Sequence, residues 1–305
     1  MICPHCDEPL LYQQRGGRRC SHCGKQFVFE PRLNRLHLHD VKVRRLADKL
    51  SDGGRLSYTV TQLWYAAARG SAARRVRSAG RHTKPTPGLG FLRARARKPR
   101  PPKLVAMPLA EFRELVLWTW SDIYNAWPDG VVDETVVEVP PRERPRLALV
   151  CPDRTVLACL QANGVPDAHD MVLTASLADV PPSVPVLLLH DASPDGCRFA
   201  ARARAELPGR TVTVAGLRPR AVLRRQSHFL RLRWPARPRE LDGLGLDQQE
   251  VEWLRQRWWS PIAAAPPQRL LAAVTKAAER ASAADADRRR AQRVGFLTWP
   301  AEEYA

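Results

Sequence analysis

The sequence predicts an α/β protein: two small N-terminal modules, then a mostly parallel sheet with helices, then a helical C-terminus. Two observations lead to this prediction. Short apolar segments alternate with helical segments between residues 146 and 217, and this order produces parallel strands through right-handed crossovers. The N-terminal third instead carries paired cysteines and a strongly basic stretch. A chain of 305 residues is long enough for two or three domains.

Four of the seven cysteines form two CxxC pairs separated by thirteen residues: Cys3, Cys6, Cys20 and Cys23. Each pair can present two thiolates on one tight turn, and four thiolates complete the tetrahedral shell that Zn²⁺ prefers. Residues 1–36 are therefore predicted to form a zinc ribbon around a structural zinc ion, with a short hairpin between the pairs. A redox-active dithiol is the alternative.

Residues 37–103 are predicted to form a basic helix-turn-helix or winged-helix-like unit that ends in a Pro/Arg-rich linker. Asp40–Leu50 and Val60–Arg69 have the apolar spacing of helices and are separated by a glycine turn, with Thr59 as the expected cap of the second helix. A helix, a glycine turn and a short basic helix are typical of DNA-binding units.

The net charge of +18 is concentrated in this N-terminal part: residues 1–103 hold 23 Lys and Arg against 6 Asp and Glu, whereas residues 104–305 hold 26 against 25. Such a partition favours an anionic partner, because binding to nucleic acid releases condensed counterions. A solvated linker is the alternative. The predicted nucleic-acid contacts are Arg69, Arg74, Arg75, Arg77, Arg81, Lys84, Arg93, Arg95 and Arg97.

Residues 104–240 are predicted to form the α/β domain, which begins with an aromatic-rich helix over Pro108–Trp127. Its predicted strands are Arg146–Cys151, Met171–Thr174, Val184–Leu189 and Thr211–Val214. They are apolar throughout, so both faces of the sheet should be covered. Residues 241–305 are predicted to be helical, with a capping-box start at Asp247 and a final helix over Pro266–Arg293.

The third predicted strand leads into Asp191-Ala192-Ser193-Pro194-Asp195-Gly196. This motif and the order of the elements resemble a Toprim domain, in which the corresponding strand ends in DxDxxG. The closest likeness is the DxDPxG form of the topoisomerase VI A subunit and its meiotic break-forming relatives. Those proteins carry a winged-helix domain with a nucleophilic tyrosine before the Toprim domain, and Gln62-Leu63-Trp64-Tyr65 has a comparable position. The resemblance covers residues 40–217.

The resemblance implies metal-dependent DNA cleavage or transesterification, with Tyr65 as nucleophile and Asp191 and Asp195 as carboxylates. Two departures indicate a degenerate site: Cys151 replaces the strand-end glutamate, with Asp153 nearby, and Ser193 replaces the second aspartate. Mg²⁺ needs oxygen ligands, and these departures leave Asp191 as the one assured carboxylate, so we expect weak Mg²⁺ binding. The DxSxD pattern is also similar to the metal site of von Willebrand factor A domains, which the short sheet disfavours.

Each candidate catalytic residue also has a structural interpretation. Tyr65 would then pack against Leu63 and Trp64 in a small helical core. Asp191 would act as a helix N-cap, a role that Ser193 could fill equally well.

The sequence thus predicts a zinc-ribbon nucleic-acid-binding protein, with double-stranded DNA as partner, that acts by binding or scaffolding with protein partners in a DNA-processing or defence complex. The alternative is a metal-dependent DNA transesterase or nuclease using Tyr65 and Asp191 with Asp153 or Asp195. A second alternative is a protein-interaction adaptor. We expect a cytoplasmic protein with no membrane partner, because no apolar run approaches the ~20 residues that span a bilayer and the N-terminus lacks a signal-peptide pattern.

Overall fold

The computed structural model describes residues 1–34, 36–69, 107–140, 144–224, 231–233 and 241–293. The chain divides into two compact units, the first comprising Met1–Lys49 and Leu63–Val131, the second Leu50–Gln62 and Val132–Ala305. The predicted α/β class, with a parallel sheet, is confirmed. The four-part domain division predicted from composition and linkers stays a prediction.

The N-terminal cysteine-rich segment contains little regular structure. Two 3₁₀ turns, Tyr12–Gln14 and Gly16–Arg18, occupy the place of the predicted hairpin. Isolated antiparallel bridges join Ile2 to Pro9 and Arg19 to Gln26. The hairpin prediction was therefore wrong in detail, because the two cysteine turns rather than a strand ladder organise this segment.

Helices follow where the sequence predicts them. Helix α1 spans Asp40–Ser51 and buries Val43, Ala47 and Leu50 along one face. Helix α2 covers residues 60–69. Its start is fixed as expected, because the Gln62 amide donates to Thr59 Oγ1 (3.2 Å) and the Thr59 amide donates to Gln62 Oε1 (2.9 Å). These are the two hydrogen bonds of a capping box.

The aromatic-rich helix predicted for residues 108–127 is observed as helix α3, a π-helical turn and helix α4. Helix α3 spans Leu109–Glu114, the π-helical turn Leu115–Thr119 and helix α4 Trp120–Tyr124. Phe112, Val116 and Trp120 are buried along this helix and form core, as their spacing predicts. Trp118, whose ring the same spacing places in the core, is instead 58% exposed, so the prediction was wrong for this residue.

Four parallel strands form the sheet of the second unit. After the two-residue strands β1 (Tyr58–Thr59) and β2 (Val131–Val132), these are β3 (Leu147–Val150), β4 (Met171–Thr174), β5 (Val186–Leu188) and β6 (Val212–Val214). Their order across the sheet is β4-β3-β5-β6, and Leu149 lies opposite Leu173 and Leu187. Helices alternate with these strands: α5 (Arg154–Ala162), α6 (Val165–Ala168), α7 (Pro194–Glu206) and α8 (Pro219–Arg224).

The C-terminal elements are β7 (Leu232–Arg233), α9 (Gln248–Arg255), β8 (Trp258–Trp259) and α10 (Pro267–Arg293). The predicted capping box at the start of α9 is confirmed: Asp247 Oδ1 accepts the Glu250 amide (2.9 Å), and the Asp247 amide donates back to Glu250 Oε2 (3.0 Å). Strands β7 and β8 pair antiparallel. No helix among the described residues is long and apolar enough to cross a membrane.

The strand order creates one special position in the sheet. The chain leaves β3 toward β4 on one side and leaves β5 toward β6 on the other side. Because β3 and β5 are neighbours, the loops at their carboxyl ends diverge and leave a crevice between them. In open α/β sheets, ligands bind in the crevice at such a topological switch point.

Candidate functional site

The four predicted metal ligands, Cys3, Cys6, Cys20 and Cys23, lie together, and their sulfur atoms are all within 4.8 Å of one another. All four are free thiols. The Sγ atoms of Cys3 and Cys23 are 3.8 Å apart, as are those of Cys6 and Cys20. A tetrahedral ion with metal–sulfur bonds of about 2.3 Å separates its ligands by about 3.8 Å. This cysteine cluster could therefore hold a metal ion such as Zn²⁺.

The two cysteine turns of the cluster are built in the same way. The Cys3 amide donates to the Glu8 carbonyl oxygen at 2.9 Å, and the Cys20 amide donates to the Lys25 carbonyl oxygen at 3.0 Å. In both turns, the amide two residues further on lies 3.4 Å from the sulfur of the first cysteine. Amides directed at sulfur favour the thiolate, which is the form that binds metal.

The carboxylate of Asp40, the first residue of α1, anchors the chain that leaves the second cysteine turn. It accepts hydrogen bonds from the amides of Val28 and Phe29, both at 2.8 Å, and from the Tyr124 hydroxyl at the end of α4. Asp40 is fully buried. Burial raises the pKa of this carboxyl group, while the three hydrogen bonds oppose that rise by favouring the charged form.

The first cysteine turn contacts the same helices. The His5 ring stacks on the Tyr124 ring at 5.2 Å between centroids, and His5 Nε2 lies 2.7 Å from the Gln26 carbonyl oxygen. The Arg44 guanidinium lies over the Tyr124 ring, at 4.4 Å from its centroid, and donates to the Pro4 carbonyl oxygen at 3.3 Å. The cysteine cluster is thus packed into the first unit through several side chains of α1 and α4.

Of the predicted nucleic-acid contacts, only Arg69 belongs to the described residues; it is half-buried and is the last described residue of α2. The other eight, from Arg74 to Arg97, lie outside the described residues. The described part of residues 1–49 exposes seven cationic side chains: Arg18, Arg19, Lys25, Arg32, Arg44, Arg45 and Lys49. Two of the carboxylates in this segment, Glu30 and Asp40, are buried. The accessible charge is therefore mainly positive.

A second candidate site, the switch-point cavity, has a volume of about 350 Å³ and is lined by the loops that follow β3 and β5. Its lining includes Asp153, His190, Asp191, Ser193, Asp195 and Phe199. The three aspartates singled out from the sequence thus line one cavity, at the edge where ligands bind to such sheets.

Each of these aspartates already has a protein partner. Asp191 Oδ1 accepts the Ile262 amide at 2.7 Å, and Asp153 Oδ1 accepts the Thr155 amide at 2.8 Å as the N-cap of α5. Asp195 is exposed and forms an ion pair with Arg198. Among the described residues, only the four cysteines form a group of three or more ligand atoms within 4.8 Å. The aspartates therefore do not converge as a Mg²⁺ site would require.

The two buried carboxyl groups of the cavity have raised pKa values. Burial, followed by repulsion from Asp153, raises the pKa of Asp191 to about 6. Burial also raises the pKa of Asp153, and the charge of Glu134 adds to that rise. Opposing this, the backbone amide of Ile262 lowers the pKa of Asp191. A carboxyl group with a pKa near neutrality is a common property of binding and catalytic sites.

Two residues of this region were not identified from the sequence. His190 is 4% exposed, and its Nδ1 lies 2.7 Å from the Asp191 carbonyl oxygen. A Cβ at Gly216 would lie 2.1 Å from His190 Cδ2, so a glycine is needed there. Burial lowers the pKa of His190. The position of His190 next to Asp191 in the sequence could have identified it. The second residue, buried Glu134, lies in a loop that has no recognisable motif.

The structure bears on two structural roles considered above: the helix N-cap at Asp191 or Ser193, and the packing of Tyr65. Ser193 Oγ accepts the Gly196 amide at 3.0 Å and is the N-cap of α7, so Asp191 does not fill that role. Tyr65 is half-buried on α2, and its ring lies 4.9 Å from the Trp64 ring. That packing agrees with a structural role, and the nucleophile assignment stays a prediction.

No protein-family model matches the chain, and no curated protein matches it significantly. The features of the chain that bear on its function are the charge distribution, the cysteine cluster and the switch-point cavity.

Proposed function

We propose that the chain is a zinc-ribbon protein that binds double-stranded DNA and acts by binding or scaffolding within a larger DNA-processing or defence complex. The observation that carries the proposal is the charge partition: a net charge of +17 belongs to residues 1–103, which also contain the cysteine cluster. The α/β part would be a degenerate Toprim-like domain.

Zinc is the ion that we propose for the cysteine cluster. Four thiolates at the spacing of a regular tetrahedron suit Zn²⁺, and a closed shell of four protein ligands leaves no position for a substrate. The ion would therefore have a structural role, holding together the two cysteine turns, which contact α1 and α4 through His5, Asp40 and Arg44.

The DNA contacts would be made mainly to phosphates. Exposed arginine and lysine side chains neutralise phosphates without reading bases, so the affinity should fall steeply with salt. The burial of Asp40 under backbone amides supports this proposal, because it removes one carboxylate from the surface of this segment. The buried ion pair of Glu30 with Arg15 (3.0 Å) removes one charge of each sign and leaves the exposed cations in excess.

The test is a titration of the zinc-loaded full chain with a labelled duplex over a range of salt concentrations. The triple variant Arg74→Gln, Arg75→Gln and Arg77→Gln should reduce the slope of log affinity against log salt by about 2–3, because each lost phosphate contact contributes about 0.9. The matched control replaces three arginines of α7, Arg198, Arg202 and Arg204, by Gln and should leave the slope unchanged. Duplex binding that does not weaken with salt would overturn the proposal.

A second candidate function, metal-dependent DNA cleavage, is supported by one observation: Asp153 and Asp191 line the same cavity at the switch point. The test is incubation with supercoiled plasmid and Mg²⁺ or Mn²⁺. Cleavage that is lost in Asp191→Ala would favour this function, and a covalent protein–DNA product lost in Tyr65→Phe would identify the nucleophile. If the chain neither binds nor cleaves DNA and a protein co-purifies with it, the protein-interaction adaptor would be favoured.

A further inference from the structure

Exposed apolar side chains are concentrated in the N-terminal segment that contains the cysteine cluster. Of the seven large apolar side chains that are exposed in the described part of the chain, four belong to the first 33 residues: Ile2, Leu11, Tyr12 and Leu33. Tyr12 is 50% exposed and Leu11 is 71% exposed. Tyr12 begins the 3₁₀ turn between the two cysteine pairs. Exposed aromatic surface of this kind often marks a binding site.

Two arginines lie against the Tyr12 ring and differ in their surroundings. The Arg32 guanidinium carbon lies 4.1 Å from the ring centroid and that of Arg15 lies 5.5 Å away. The Arg15 side chain is 8% exposed and is held by the buried carboxylate of Glu30. Arg32 is exposed, and no carboxylate of the described residues pairs with its guanidinium. Arg15 therefore holds the ring, while Arg32 remains available to an anion.

We propose that Tyr12 and Arg32 form a stacking platform for an unpaired nucleobase, so that the cysteine-rich segment binds single-stranded nucleic acid. This inference rests on the proposed function, and it adds a substrate class to it. An unstacked base can lie on the tyrosine ring or continue the tyrosine–arginine stack, while the guanidinium contacts the adjacent phosphate. Bases inside a duplex are already stacked and cannot reach the ring.

Charge favours a polynucleotide as the occupant of this surface. Arg18, Arg19 and Lys25 are exposed on the same cysteine-rich segment as Tyr12. A base on the platform would bring its flanking phosphates toward a segment that carries these cations. An aromatic ring combined with cationic neighbours is the usual composition of single-strand binding surfaces.

The experiment measures binding of the zinc-loaded full chain to three labelled probes: a short single strand, an abasic strand of equal length, and a duplex. Tyr12→Ala should weaken binding to the single strand by about fivefold to 150-fold, because the stacked base loses its aromatic partner. Binding to the abasic strand and to the duplex should change less than about twofold. Tyr12→Phe retains the ring and should bind like wild type. Trp118→Ala is the matched control: it removes an exposed aromatic ring elsewhere in the chain and should leave binding to all three probes unchanged.

The outcomes separate this inference from the proposed function. If wild type binds none of the probes, the proposed function fails. If wild type binds duplex but Tyr12→Ala has unchanged affinity for the single strand, or loses affinity for all three probes equally, the stacking platform is wrong. Zinc content and circular dichroism of each variant establish that the cysteine cluster is intact.

Discussion

The cysteine cluster and the switch-point cavity both gather metal-ligating residue types, but they do so in different ways. In the cluster, two equivalent turns supply four sulfur atoms within 4.8 Å of one another. In the cavity, Asp153 and Asp191 come from loops after different strands, and each accepts a backbone amide of the protein. A ligand set built from local turns is complete on its own, whereas a set built from distant loops depends on the rest of the fold.

The largest effect is expected from Cys20→Ser, which removes a buried thiol of the proposed zinc site. The variant should lose the bound zinc and much of the structure of the first unit, because the free energy of zinc binding is part of the free energy of folding at such sites. Zinc content measured by elemental analysis, together with thermal unfolding, would check this expectation.

The control for Cys20→Ser is Cys197→Ala, which removes a buried thiol from α7, in the second unit. It should retain one zinc per chain. A Cys20→Ser protein with full zinc content and unchanged melting would show that the cluster is not a zinc site, and the contrast with the cavity would then disappear.

Asp40→Ala should have the next largest effect. The substitution leaves the amides of Val28 and Phe29 and the Tyr124 hydroxyl without their common acceptor. We expect a loss of about 3–5 kcal/mol in the free energy of unfolding, because each unsatisfied buried donor costs about 1–3 kcal/mol. Urea denaturation of the zinc-loaded protein measures this loss.

Tyr124→Phe removes only one of these hydrogen bonds and should cost about 1 kcal/mol. Asp48→Ala, on the exposed face of the same helix, should change the stability by less than about 0.5 kcal/mol. Equal effects of Asp40→Ala and Asp48→Ala would mean that the cluster is not held to α1 as the hydrogen bonds indicate.

In the cavity, Asp191→Asn should increase stability at neutral pH. The folded carboxyl group has a pKa of about 6, against about 3.9 in an unfolded chain, so the folded state holds the proton more tightly. The stability due to this group is full below about pH 4 and is lost as the pH rises through 6. Asparagine carries no charge and can still accept the Ile262 amide.

We expect Asp191→Asn to be more stable than wild type by about 1–2 kcal/mol at pH 7.5, with no difference near pH 4. Urea denaturation of both proteins at several pH values measures the difference. Acid affects the cysteine cluster equally in the two proteins, so that effect cancels in the difference. Asp195→Asn, at an exposed ion pair, should differ little from wild type. A destabilised Asp191→Asn protein at pH 7.5 would show that the charge contributes to the fold.

The features that were predictable from the sequence are those that depend on short stretches of chain. The cysteine pairs, the helix cap at Thr59, the capping box at Asp247 and the parallel strands all follow from local spacing, and the structure has them where they were expected. The position of the cavity was also predictable, because strand-end residues meet at one edge of a parallel sheet.

The contents of the cavity could not be predicted in the same way. The amide that binds Asp191 belongs to Ile262, 71 residues further along the chain. Glu134, whose charge raises the pKa of Asp153, precedes β3 in a loop without a motif. Tertiary contacts of this kind decide whether a carboxylate is free for a ligand, and no local pattern encodes them.

The smallest effect tests how equivalent the two cysteine turns are. The residue after the second cysteine of each pair has a left-handed backbone, with φ of 57° at Asp7 and 70° at Gly24. A Cβ at Gly24 would meet nothing within 4 Å, so Gly24→Ala adds backbone strain and no clash. We expect a loss of about 1 kcal/mol, and a gain of similar size for Asp7→Gly. Both variants should keep their zinc; if Gly24→Ala lost it, the two turns would not be interchangeable supports of one tetrahedral site.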